Sequence, residues 1–155
     1  MALKNNTWKL NQWYDQSVAG NATYSGVIQL WVWGRNDNGL LGQNQPQNTN
    51  LSSPVQMPGS WSKESIPLQS NVGKNIILPK TDGTLWGWGR NDNANLAMND
   101  KVMRSSPTQI GSDTDWSKSG CLEEQGWAIK TDGTLWVWGD NNYGQLGQNE
   151  RTYRS

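Results

Sequence analysis

Apolar and polar positions alternate with period two along three short stretches of this chain. Thr134-Leu135-Trp136-Val137-Trp138 is the clearest, Thr84-Leu85-Trp86-Gly87-Trp88 repeats it, and Gln29-Leu30-Trp31-Val32-Trp33 is a worn third copy. Successive side chains of a strand point to opposite faces, so Trp136 and Trp138 share one face and Leu135 and Val137 the other. Both faces are apolar, which predicts strands buried on both sides. An Asp-Gly pair precedes two of the copies, Asp82-Gly83 and Asp132-Gly133. Glycine takes positive φ without steric penalty, so residues 80–84 and 130–134 read as hairpin turns. The strands entering these turns are Ile76-Ile77-Leu78-Pro79-Lys80 and Trp127-Ala128-Ile129-Lys130. Pro79 has no N–H to donate and predicts an edge position or a bulge.

From Trp31 to Trp86 is 55 residues and from Trp86 to Trp136 is 50, a period that marks a repeat architecture. Each Trp-x-Trp-Gly strand leads into an amide-rich loop. The first copy reads Asn36-Asp37-Asn38-Gly39-Leu40-Leu41-Gly42 and the third Asn141-Asn142-Tyr143-Gly144-Gln145-Leu146-Gly147. Paired glycines around a leucine predict a tight loop with positive φ. The second copy has Ala94 and Ala97 at the glycine places, so that loop either bends differently or carries local strain. Then follow Ser52-Ser53-Pro54-Val55-Gln56-Met57 and Ser105-Ser106-Pro107-Thr108-Gln109-Ile110, and after them Trp61-Ser62-Lys63 and Trp116-Ser117-Lys118. A five-residue surplus within residues 65–75 is expected to lengthen a surface loop. Each repeat therefore supplies three or four short strands, the size of one propeller blade. The fold class expected is all-β: tandem propeller-blade repeats, about two and a half of them, across residues 27–155.

Residues 1–26 stand outside the repeat as a short N-terminal arm or helix. Leu10, Trp13, Tyr14 and Val18 fall on one helical face, with Thr7 as N-cap and Gly20 after the C-terminus. The arm either packs on its own domain or docks on another protein, with Trp8, Leu10, Trp13 and Tyr14 as the contact residues.

Composition changes the picture in one respect: it removes chemistry. Among 155 residues there are 11 Trp, 17 Gly, one Cys, no Phe and no His, and 13 basic residues balance 13 acidic ones. Trp31, Trp33, Trp61, Trp86, Trp88, Trp116, Trp136 and Trp138 sit at repeat-matched places and read as the structural core of the repeats. Without histidine, and with Cys121 lacking an evident activating partner, an enzyme is the least expected class. Glu123-Glu124 reads as a solvated loop, and the Asp and Asn clusters as turn formers; no metal site or cofactor is expected. No basic stripe marks a nucleic-acid surface, and no run approaches the ~18 apolar residues of a membrane span.

The stretch Gly133-Thr134-Leu135-Trp136-Val137-Trp138-Gly139-Asp140-Asn141-Asn142-Tyr143-Gly144-Gln145-Leu146-Gly147 resembles the core motif of the regulator-of-chromosome-condensation repeat family. That resemblance implies a β-propeller, usually of about seven blades. The family's exchange-factor and histone-binding activities rest on loops that have no counterpart among these residues. In its asparagine- and tryptophan-rich style, and in the opening Lys4-Asn5-Asn6-Thr7-Trp8, the chain also resembles virion proteins of marine bacteriophages. This second resemblance implies a non-enzymatic tail or fibre component located in the virion. Its arm would anchor it to other virion proteins or to its own symmetry copies, and its repeats would touch a host-surface glycan or protein. The alternative is a lectin-like or protein-binding propeller module of a cellular, exchange-factor-like protein. A lectin would need exposed Trp faces, for which Trp8, Trp13 and Trp127 are the free candidates. Tyr153-Arg154-Ser155 aligns with Met103-Arg104-Ser105, so the ring is expected to need either a longer native chain or neighbouring subunits for closure.

Overall fold

The computed structural model describes residues 29–65, 74–122 and 124–155. The expected arm, with Trp8, Leu10, Trp13 and Tyr14, lies outside them. The described residues form eight strands and two short 3-10 turns, with no α-helix among them. Strands β1 (Leu30–Gly34) and β2 (Leu51–Met57) pair in blade I. In blade II, β3 (Asn75–Pro79), β4 (Leu85–Gly89) and β5 (Arg104–Ile110) pair in that order. Strands β6 (Trp116–Cys121), β7 (Gln125–Lys130) and β8 (Leu135–Gly139) form blade III. All pairings are antiparallel.

The Asp-Gly pairs close the β3–β4 and β7–β8 hairpins in the same way. The Asp82 carboxylate accepts from the Thr84 N–H at 3.0 Å and the Thr84 hydroxyl at 2.6 Å. Asp132 and Thr134 repeat this at 2.9 and 2.7 Å. Gly83 and Gly133 take φ of 80° and 88°. Pro79 sits at the end of β3, the edge strand of its sheet, where its missing N–H breaks no ladder. Its carbonyl accepts from the Ser62 N–H at 3.0 Å, beside the Trp61–Lys80 bridge.

Two apolar layers hold the blades together, and they divide β3 by its pleat. Ile76 and Leu78 point into a layer with Val32, Leu41 and Met57 of blade I, together with Trp61 and Trp88. Ile77 points the opposite way, into a layer shared by Leu85, Leu96 and Ile110 of blade II and Ala128 and Trp138 of blade III. Blade II is thus sandwiched, and all five residues of β3 are buried. Polar bonds cross the second layer: the Ser119 N–H donates to the Ser65 hydroxyl oxygen at 2.9 Å, and the Ser119 hydroxyl donates to the Ile77 carbonyl at 2.7 Å.

Candidate interaction cleft between the blades

Each blade-to-blade junction is keyed by the second tryptophan of a Trp-x-Trp strand. Trp88 is fully buried and donates its indole N–H to the Leu40 carbonyl of blade I at 2.9 Å. Trp138 makes the same bond to the Asn95 carbonyl of blade II at 2.7 Å. A buried indole needs such a partner, because an unmatched donor costs about 1–3 kcal/mol. The acceptor lies just before the buried leucine of the amide-rich loop, and that loop is pinned by an asparagine. Asn36, Asn91 and Asn141 are nearly inaccessible, and each accepts from the N–H of its leucine: Leu41 at 3.0 Å, Leu96 at 2.9 Å, Leu146 at 3.0 Å. The Asn91 amide also donates to the carbonyls of Asp100 and Val102 at 2.9 and 3.2 Å. Sequence reasoning took these asparagines for ordinary turn formers. Their recurrence at one place in all three repeats was the available signal.

The loop with alanines bends as its glycine twins do. Ala94 and Ala97 hold φ of 57° and 51°, against 71° and 63° at Gly39 and Gly42. Strain of about 1–2 kcal/mol per residue is therefore stored in blade II. At the first junction there is no room for such a methyl group. A Cβ on Gly42 would lie 2.6 Å from the Met57 methyl and 2.9 Å from the Trp88 indole nitrogen. At the second junction Ala97 stands in that place and packs against the layer of Ile77, Leu96 and Trp138.

There an open cleft of about 900 Å³ runs between blades II and III, past Ile110, Trp116, Lys130, Leu135, Trp136 and Arg154. Lys130 organises its charged wall. Its ammonium lies 2.6 Å from Asp113 and 3.2 Å from Asp115, and 5.0 and 5.5 Å from the ring centres of Trp116 and Trp136. The hydrogen bond to Asp113 raises the Lys130 pKa above its ordinary value, against the opposing effect of burial. The two rings meet edge to face at 6.1 Å. At the first junction the linker Pro58-Gly59-Ser60 carries no acid, and Lys80 instead lies 3.5 Å above the Trp86 ring. Burial pushes the Cys121 thiol up to about 11, so it carries little thiolate at neutral pH. Among the described residues no group of three or more His, Cys, Asp or Glu could hold a metal ion.

The eight repeat-matched tryptophans do not share one environment. Trp61, Trp88 and Trp138 are buried, and Trp86 and Trp116 are half-buried. Trp31, Trp33 and Trp136 are 45%, 60% and 52% exposed, which corrects the expectation that these three lie in the core. For Trp31 and Trp33 the reason is that no described blade packs against the outer face of β1; Trp136 lines the open cleft. Trp127, expected to be free, is half-buried and lies over Gly120, where a Cβ would come within 2.7 Å of its ring.

Two segments match models of the regulator of chromosome condensation (RCC1) repeat, one across residues 29–69 and another across residues 128–145. The chain carries RCC1-like repeats. Among solved structures it is similar to human WBSCR16, with 18% identity and a TM-score of 0.66 over 82% of this chain and 31% of that one. It is also similar to Prp20p from Saccharomyces cerevisiae, with 16% identity and a TM-score of 0.63 over 82% of this chain and 32% of that one. The yeast RCC1 (Prp20) bound to Kap60 matches at 15% identity and a TM-score of 0.53, covering 82% of this chain and 33% of that one. At such identities the likeness is one of fold, and the RCC1-like chain spans about a third of the length of these proteins. No match was found among curated proteins. Within an RCC1-like repeat, the buried asparagine, the positive-φ pair and the second tryptophan form one device that locks each blade to the one before.

Proposed function

We propose that this chain is a non-enzymatic, protein-binding propeller module whose contact surface is the cleft between blades II and III. The observation that carries the reading is the 52% exposure of Trp136 beside the cleft, next along the strand to Leu135, which is 62% exposed on the other face of β8. A large aromatic and an aliphatic residue rimmed by Lys130, Asp132 and Arg154 have the make-up of an interface hot spot with a polar border. The similar structures support protein partners: Prp20p is described with binding to Gsp1p and histones, and yeast RCC1 with Kap60. The absence of histidine and the raised Cys121 pKa support a non-catalytic role. No comparison points to a virion, so the cellular protein-binding alternative is preferred to the tail or fibre role.

The test is a photo-crosslinking residue at position 136, with position 101 as control. A discrete adduct with one polypeptide is expected from position 136 alone, lost when Leu135→Asp is added. Saturable quenching of tryptophan fluorescence by oligosaccharides, with no polypeptide adduct, would replace this reading by the lectin one.

A further inference from the structure

The corner built by Lys80, Trp61 and Trp86 at the first blade junction recurs at the second as Lys130, Trp116 and Trp136. The same bonds assemble both corners. Each lysine backbone N–H donates to the threonine carbonyl that closes its hairpin, Lys80 to Thr84 at 2.8 Å and Lys130 to Thr134 at 3.0 Å. The next residue ties the hairpin to the incoming linker. The Thr81 N–H donates to the Ser60 carbonyl at 2.9 Å, and the Thr131 N–H to the Asp115 carbonyl at 2.8 Å. Ser60 and Asp115 therefore hold the same place, each just before its tryptophan.

The corners differ in counter-charge. Lys130 has Asp113 and Asp115 against its ammonium, both from the linker that joins Ile110 to Trp116. The linker from Met57 to Trp61 is Pro58-Gly59-Ser60, two residues shorter and without an acid. Among the described residues Lys80 makes no ion pair. Asp82 of its own hairpin is bonded to Thr84, as Asp132 is to Thr134, so the turn acids do not account for the difference.

Lys80 is nevertheless held in place. Its ammonium lies 3.5 Å from the Trp86 ring centre and 5.4 Å from that of Trp61. The Trp86 ring is itself fixed, its N–H donating to the Thr84 hydroxyl at 2.8 Å. A side chain already ordered on two rings loses little further freedom when it meets an anion. A second donor lies under the same linker: a Cβ on Gly59 would sit 3.3 Å from Lys80 Cε and 3.4 Å from Trp61 Nε1. The Trp61 indole N–H is buried and has no acceptor among the described residues. The Trp116 N–H lacks one too, so the missing carboxylate is what sets the first corner apart. Pro58, Gly59 and Ser60 above it are exposed, and Lys80 is half-buried.

Aromatic faces attract a cation without neutralising it, and a partly desolvated ammonium holds a carboxylate more strongly than one in open water. We infer that the Lys80–Trp86 corner is a receptor for an acidic side chain of a partner polypeptide, which supplies there the carboxylate that Asp113 and Asp115 supply to Lys130. A polypeptide is the fitting source because the second corner is served by two acids on one chain segment, at the spacing Asp-x-Asp. The inference rests on the protein-binding part of the proposed function and not on the cleft.

The experiment titrates the capped peptide acetyl-Gly-Ser-Asp-Thr-Asp-amide, the sequence of residues 111–115, into the isotope-labelled 155-residue chain. Indole N–H and lysine ammonium groups are followed by NMR. Saturable shifts of the Trp86 and Trp61 indoles are expected, with half-saturation at about 1–5 mM. Lys80→Gln should abolish them. Ser60→Asp should abolish them as well, by setting a carboxylate of the chain's own beside Lys80. Ser60 is exposed, so that variant's spectrum elsewhere should report an unchanged fold. Asp113→Asn with Asp115→Asn should open the second corner and add saturable shifts at Trp116 and Trp136. No saturable shift up to about 20 mM peptide, or equal shifts from the peptide with both aspartates replaced by asparagine, would overturn the proposal. Equal shifts from sodium acetate at matched carboxylate concentration would also overturn it, by showing a site for any small anion. If the peptide fails while the crosslink from position 136 persists, the corner falls and the protein-binding reading stands. Peptide binding without the crosslink would uphold the corner and overturn the cleft; loss of both removes both.

Discussion

Strands β4 and β8 read Leu-Trp-Gly-Trp-Gly and Leu-Trp-Val-Trp-Gly, yet they live in different surroundings. Leu85 is fully buried whereas Leu135 is 62% exposed, and Trp86 is half-buried whereas Trp136 is 52% exposed. Among their large side chains only the second tryptophan is buried in both, because it points back at the preceding blade's loop. Strand β1 completes the comparison from the opposite side. Its Val32 is buried against blade II, while Trp33, the counterpart of Trp88, is 60% exposed. A strand of this type thus has one face for the blade before and one for the blade after, and each face is buried only where that neighbour is present. Burial here is a property of two facing surfaces, not of the strand.

The sharpest way to break this comparison is the pair Trp88→Ala and Trp33→Ala. The first should destabilise the fold by about 3–5 kcal/mol, as deletion of a fully buried indole does. The second should cost less than about 0.5 kcal/mol, as at other exposed positions. Urea denaturation followed by circular dichroism would measure both, and equal losses would refute the two-face account. Leu85→Ala and Leu135→Ala repeat the contrast on the forward face, with an expected loss of about 2–5 kcal/mol for the first and almost none for the second.

A smaller effect, about 2–3 kcal/mol, is expected for Asn91→Ala. That change leaves the Leu96 N–H and the Asp100 and Val102 carbonyls short of a partner in or near the core. Ala97→Gly should run the other way. Relief of left-handed strain, offset by the extra freedom glycine adds to the unfolded chain, leaves a gain of about 0.5 kcal/mol. Chemical denaturation would detect it, and a loss instead would mean that the Ala97 methyl contributes more by packing than its backbone strain costs.

The smallest effects belong to the hairpin turns, where the blades should not differ at all. The Thr84 hydroxyl and N–H hold the Asp82 carboxyl below its ordinary pKa, and the Thr134 N–H and hydroxyl do the same for Asp132. With the folded-state pKa below the unfolded one, each contribution is full above about pH 4 and is lost as the pH falls further. Asp82→Asn and Asp132→Asn should flatten the acid limb of the stability profile by similar amounts. A large difference between them would show that the turns sense their blade after all.

Much of this molecule was legible in the chain alone, and the legible parts are those set within a few residues. The Asp-Gly turns need only a carboxylate two residues before a threonine and a glycine free to take positive φ. The strands need only alternation, and the blade repeat only its period. Pro79 announced an edge because a missing N–H is a local fact. The cleft was not legible. Trp136 and Trp86 stand in the same local sequence, but Trp86 packs against the layer between blades I and II whereas Trp136 lines an open cleft. The asparagine pins escaped notice for a similar reason: Asn91 draws its partners from residues 96, 100 and 102, which only the closed loop brings together. Ala94 and Ala97 likewise keep a glycine-like path because the surrounding contacts outweigh a strain of about 1–2 kcal/mol each. Periodicity and turn chemistry by themselves determined the strands and their repeat; the apposition of one blade on the next decided which tryptophans became core and which became surface, because burying an apolar face requires a second surface to lie against it.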